Sequence, residues 1–331
     1  MSSSLTNFHG RLVFQACRAR DASAEKILGD LVKSQPFSDV EYPGIGRTGF
    51  ERLPFDSINQ DCDERALALC GQSTGARFRK ESLGEEIEVY DPRQSQRITA
   101  QPISEKTADL LTTTPETVLV RGSMTTYQQV FEEIQAAEPA GGRLSEISFD
   151  PDFMLWLFWQ YSTGQSISDL TPISLTSADL SGQRDMFGKS AQVSESIDLS
   201  SSPPILLGLL TGQHFQSISG KFEYHGEFIE MDISQHGRVH VKTTGQLVDL
   251  SMPERVLLAS DAVNKTVKTY SQWTNRPPSS KYPPAEFFSD MLERLSDQDI
   301  EVRFSTDQIF KTYAEKRAEG FEEYTRTIRD V

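Results

Sequence analysis

The segments Glu230-Met231-Asp232-Ile233 and Val239-His240-Val241-Lys242 set carboxylates, an imidazole and an amine at alternating positions. Alternate residues of a strand share one face, so Glu230 and Asp232 lie on one side of their strand, and His240 and Lys242 on one side of the next. Carboxylates beside a lysine can hold a hard divalent cation against a scissile phosphate. That chemistry would make Asp232 and Lys242 the working pair of a metal-dependent nuclease, although His240 is a poor ligand where a second carboxylate is wanted. The same cations without a metal offer phosphate contacts. Gln213, His214, Lys221, Arg238, His240 and Lys242 lie on or beside these hairpins, and Arg121 ends an earlier strand. Such groups can track a nucleic-acid backbone without reading its sequence. This reading needs no catalytic residue, metal or cofactor, and none is assigned. Scattered surface charge on an ordinary half-buried hairpin is the competing account.

Other motifs carry less. Gly44-Ile45-Gly46-Arg47-Thr48-Gly49 fits a dinucleotide fingerprint, but Pro54 follows too soon for the helix that would hold a pyrophosphate; a loop is expected. Gly188-Lys189-Ser190 ends a phosphate-loop-like stretch whose first glycine position is Gln183, which spoils the backbone cradle. His214, His225, His236 and His240 cluster in sequence, yet their spacing matches no zinc pattern. Cys17, Cys62 and Cys70 make neither a disulfide framework nor a four-ligand zinc site. Arg77, Arg79 and Lys80 around Phe78, with Arg93 and Arg97, read as solvated faces.

The elements that must position these residues follow from periodicity. A strand at Leu12–Cys17 precedes a helix capped by Asp21 or Ser23, with Ile27, Leu28, Leu31 and Val32 inward. Val40 and Tyr42 suggest a short strand, Asp61–Cys70 a short helix, and Asp91-Pro92-Arg93-Gln94 a hairpin turn. Thr117–Arg121, a helix from Thr125 to Ala137, a turn at Pro139-Ala140-Gly141-Gly142 and Leu144–Phe149 form a β-α-β stretch. Asp150-Pro151 then opens a helix that is apolar all round and must be buried. After a serine-rich stretch and a short helix to Leu210 come three strands, Phe215–Tyr224, Phe228–Ile233 and Arg238–Thr243. A capping box at Ser251–Glu254 starts an amphipathic helix carrying Val256, Val263, Tyr270 and Trp273. Beyond a proline linker, helices at Ala285–Leu295 and Asp307–Ile328 bracket a short strand at Ile300, Val302 and Phe304. The fold class expected is α+β: antiparallel sheets with flanking helices and a helical C-terminal extension. The domains expected are 1–180, a linker or loop at 181–203, a three-stranded sheet plus helix at 204–275, and the extension at 276–331.

Composition sets the outer limits. With 331 residues and 37% apolar content the chain can bury a full core, which excludes a disordered chain. The longest apolar run, Phe153–Trp159, is far short of the roughly twenty residues a bilayer span needs. The first residues lack the basic and apolar regions of a secretory signal, so a cytoplasmic protein without membrane contact is expected. Lys and Arg total 33 against 48 Asp and Glu, a net charge of −15. That field repels phosphates on average, so a nucleic-acid role requires a locally basic face inside an acidic exterior. The excess of arginine over lysine (21 to 12) is compatible with a salt-rich cytoplasm.

Two resemblances bear on function. The helix, three strands and helix around Asp232 and Lys242 resemble the core of metal-dependent nucleases of the PD-(D/E)xK type. A longer resemblance runs from Thr117 to about Trp273. Val118-Leu119-Val120-Arg121-Gly122-Ser123 with its helix, the Trp156-Leu157 helix, Asp198-Leu199-Ser200, Ile205-Leu206-Leu207, Gly212-Gln213 and the strands ending in Gly237-Arg238-Val239-His240-Val241-Lys242 are similar, in that order, to the RdgC family of recombination-associated DNA-binding proteins. This chain departs from that family at Gln213, where lysine is usual, and at His240 and Val241, where basic residues are usual; the region after about Asn275 has no counterpart. The resemblance implies a ring-like homodimer that encircles duplex DNA without sequence preference. Three classes of function are thus expected to compete: non-enzymatic duplex-DNA binding in recombination or replication, which the resemblance favours, a metal-dependent nuclease, and a protein–protein adaptor.

Overall fold

The computed structural model describes residues 11–37, 46–53, 62–93, 96–136, 143–167, 170–182 and 189–329. Outside them lie Val40, Tyr42, Gly44, Pro54, Asp61, Gln94, the turn at 139–142 and Gly188. The chain forms two compact units, Met1–Ile147 with Leu250–Asp261, and Ser148–Asp249 with Ala262–Val331.

In the first unit the elements are β1 (Leu12–Ala19), α1 (Ala24–Ser34), β2 (Thr48–Leu53), α2 (Glu64–Cys70), β3 (Thr74–Leu83), β4 (Ile87–Asp91), β5 (Gln96–Ala100), β6 (Ile103–Thr114), β7 (Thr117–Arg121), α3 (Met124–Ala136) and β8 (Leu144–Glu146). An antiparallel sheet runs in the order β8-β1-β7-β6-β3-β2, and β4–β5 is a separate hairpin. Ser23 starts α1 by accepting the Lys26 N–H, which satisfies one orphan donor of the first turn. The apolar stripes of α1 and α3 meet one sheet face, where Ile27, Leu31, Val130 and Ile134 pack with Cys17, Phe78, Leu110 and Val120. Glu254 accepts the Ser251 N–H, as its capping box requires, and also the Asp63 N–H that precedes α2, both at 2.7 Å.

The second unit contains α4 (Pro151–Ser162), β9 (Pro172–Ser181), β10 (Ser190–Val193), α5 (Pro203–Leu210), β11 (His214–Tyr224), β12 (Glu227–Ser234) and β13 (Arg238–Val241). Helices follow: α6 (Met252–Thr274), whose residues from Ala262 on belong here, α7 (Pro278–Lys281), α8 (Ala285–Ser296), α9 (Asp307–Arg317), α10 (Phe321–Tyr324) and α11 (Arg326–Arg329). The antiparallel order is β10-β9-β11-β12-β13. Asp150 caps α4, and the helix is buried from Phe153 to Phe158. Phe158 meets Phe215 on β11, and Phe153 stacks with Trp156 beside Tyr270 and Trp273.

The α+β class with antiparallel sheets, flanking helices and a helical C-terminal region is what the structure has. The domain limits differ. β9 pairs with both β10 and β11, so the serine-rich stretch lies within one unit rather than dividing two. The C-terminal helices belong to that unit's core: Phe287 of α8 packs on Phe158 of α4, and Tyr313 of α9 donates to Asp152 of α4. Ile300–Phe304 is no strand, because the Ile300 N–H closes α8 on Leu295 O while Asp299 turns left-handed at φ 59. The helix expected over 307–328 is broken by Ala318, also left-handed at φ 58.

Candidate functional site

Register decides which predicted residues meet. On β11–β12 Lys221 stands opposite Glu230 and Ser219 opposite Asp232; on β12–β13 Asp232 stands opposite His240. Ile229, Met231, Ile233, Val239 and Val241 are buried on the apolar face. The intervening Glu230, Asp232, Arg238 and His240 therefore share the other face with Lys221, and all five are half-buried. Lys242 extends the same alternation just past β13, its N–H donating to Glu230 O.

The geometry at the centre of this face is tight. The Lys242 ammonium is 2.8 Å from Glu230 Oε1 and 3.4 Å from Asp232 Oδ1. His240 Nδ1 lies 3.3 Å from Asp232 Oδ2, and the Thr244 hydroxyl donates to Glu230 Oε2 at 3.3 Å. Lys221 Nζ sits 4.8 Å from the centre of the Phe228 ring, a cation–π arrangement. Burial pulls the Arg238 guanidinium down from its ordinary value. For Lys242 burial acts the same way, but the bonds to Glu230 and the charge of Asp232 outweigh it and raise its pKa.

Asp232 shows the opposite balance. Burial pushes its carboxyl up, while hydrogen bonds from His240 and Ser219 and the Lys242 charge hold it below the ordinary 3.8. A depressed carboxyl contributes stability above its unfolded pKa, and the contribution is lost as pH falls through the folded one. Asp232→Asn is therefore expected to be less stable than the parent at neutral pH, with the difference shrinking below pH 3.8. Urea titrations from pH 7 down to pH 3 would read it; a pH-independent difference would mean that the ion pairs contribute nothing.

The remaining predicted residues lie elsewhere. Gln213 and His214 line a cleft of about 550 Å³ in the second unit, together with Asp150, Asp152, Tyr313 and Lys316. Its wall is held by Asp152, which accepts the Tyr313 hydroxyl at 2.7 Å and the Lys316 ammonium at 2.6 Å. Arg121 is buried in the first unit, paired with Asp109 on the neighbouring strand. It points into the protein, so it offers no phosphate contact there. The sequence reading missed Asp109; its signal is a lone carboxylate inside Ala108-Asp109-Leu110-Leu111. Arg77, read as solvated, is its second partner at 2.7 Å.

Other chemistry is limited by the same geometry. Among the described residues no three His, Cys, Asp or Glu side chains are arranged to hold a metal ion. Burial pushes the Cys17 thiol up to about 12, so it is no nucleophile near neutral pH. Gly49 sits inside β2, so the glycine fingerprint is followed by a strand and not by a helix. No described helix is long and apolar enough to cross a membrane. No protein-family model and no curated protein matches this chain.

Proposed function

We propose that this protein binds duplex DNA without sequence preference, as a non-enzymatic homodimer acting in recombination or replication. The reading is supported by the convergence of Lys221, Arg238, His240 and Lys242 on one half-exposed face of β11–β13. A row of cations at strand spacing suits the repeated phosphates of a backbone, and it carries no base-reading pattern. Glu230 and Asp232 share that face, so its cations offer phosphate contacts only where those carboxylates do not close them.

A labelled random-sequence duplex titrated across a salt series tests this. Binding is expected to weaken steeply with salt, to leave the DNA intact with Mg²⁺ present, and to come from a species of twice the chain mass. Lys221→Ala should reduce the slope of log K against log salt by about 0.9, the signature of one lost phosphate contact. No binding at low salt would sink the reading and leave the adaptor. The competing reading is a PD-(D/E)xK-like nuclease built on Asp232 and Lys242, against which stand their ion pair at 3.4 Å and the lack of any three grouped metal-ligating side chains among the described residues. Mg²⁺-dependent loss of intact duplex that disappears in Lys242→Ala would establish it and overturn the first.

A further inference from the structure

The cationic face is not free to take phosphate at every position. Lys242 is enclosed by two carboxylates, at 2.8 Å and 3.4 Å. Neither carboxylate can easily swing away. Glu230 is 21% exposed and also takes the Thr244 hydroxyl. Asp232 is 34% exposed and is held by Ser219 and His240. Strand register fixes all of them on the same patch. Two carboxylates surround this one ammonium, so a phosphate approaching Lys242 meets two like charges first. Lys221 lies on the adjoining strand against the Phe228 ring.

We propose that Glu230 and Asp232 act as an internal competitor for phosphate, closing Lys242 and His240 within the DNA-binding face so that a polyanion must displace them. This rests on the DNA-binding reading of the same face. In the native protein Lys242 then adds little to the backbone contacts. The device sets a weak, readily released grip on a duplex, because the carboxylates re-form their pairs as soon as a phosphate leaves.

The test compares three variants of the full chain on the random-sequence duplex across the salt series. Glu230→Gln keeps a hydrogen-bonding side chain but removes the charge on Lys242's closer partner. It is expected to tighten binding at about 0.1 M salt by roughly tenfold, the size of one charge-assisted contact, and to steepen the salt slope by about 0.9. Asp232→Asn should act in the same direction, and melting curves by circular dichroism show that each variant is folded. Glu223→Gln is the control: Glu223 is exposed on β11 in phase with Lys221, so its loss changes the net charge of that face equally without releasing a cation. Little change there, beside the gain in Glu230→Gln, supports the proposal. Unchanged affinity in both Glu230→Gln and Asp232→Asn, or an equal gain in Glu223→Gln, overturns it while native binding keeps the DNA reading. No binding by native protein or any variant at low salt ends both.

Discussion

Replacing Asp109 by alanine is expected to destabilise the protein by about 3–5 kcal/mol, the cost of leaving buried charge without its counter-ion. Asp109 is 2% exposed. Its Oδ1 accepts from Arg77 Nε at 2.7 Å and its Oδ2 from Arg121 Nε at 3.0 Å, with a second Arg121 nitrogen closer still. Arg121 is 6% exposed at its side chain and Arg77 15%, so neither guanidinium can recover water without moving a strand. Asp109→Asn is expected to lose less than Asp109→Ala, because the amide oxygen still accepts one bond, but to remain well below the parent. The contrast lies one pair further along the sheet. Arg79 bonds to Glu105, which is 39% exposed, and Glu105→Gln should cost no more than about 1 kcal/mol. Urea unfolding followed by far-UV circular dichroism measures both. A loss of less than about 1 kcal/mol in Asp109→Ala would mean that this cluster is solvated in solution.

The second large effect is Gly220→Ala on β11. A Cβ built there would lie 2.1 Å from Ser174 O and 2.9 Å from Leu175 Cα, both backbone atoms of β9. Backbone cannot turn aside as a side chain does, so β9 and β11 must separate along a stretch where the register already shifts. Overpacking of this kind costs about 3 kcal/mol at the upper end of its usual range. The strain falls beside Phe222 and Ile218, which are fully buried. Tryptophan fluorescence is the natural probe, since Trp156, Trp159 and Trp273 all belong to the second unit. A melting midpoint unchanged from the parent would show that the two strands do not approach this closely.

How much of this was legible before the structure depends on where the information resides. The helices α1 and α6, with their apolar stripes and caps, α4, with its cap and unbroken apolar run, and the strands of the β11–β13 meander were readable because these signals are local. So were the polar positions of that meander. The strands β2, β3 and β9 were not. In β3 the residues alternating with Ala76 and Phe78 are Arg77, Arg79 and Glu81, and without their partners they look like a solvated basic cluster. Asp109 lies on β6, Glu51 on β2 and Arg47 just before it, and only pairing across the sheet turns that cluster into neutralised, part-buried structure.

The same distinction separates what the residues determine alone from what the fold decides about the site. The sequence determined the α+β class, the strands on or beside which Lys221, Arg238, His240 and Lys242 lie, and the acidic composition around them, because alternation and composition act through nearest neighbours. Tertiary structure decided that Arg121 is turned inward to Asp109, that Gln213 and His214 belong to a separate cleft, and that β9 joins β11 across the serine-rich stretch. It also decided that Lys242 is held by Glu230 and Asp232. Each of those outcomes is a pairing between residues distant in the chain, and electrostatic energy depends on the distance between charges in space, which no local pattern encodes.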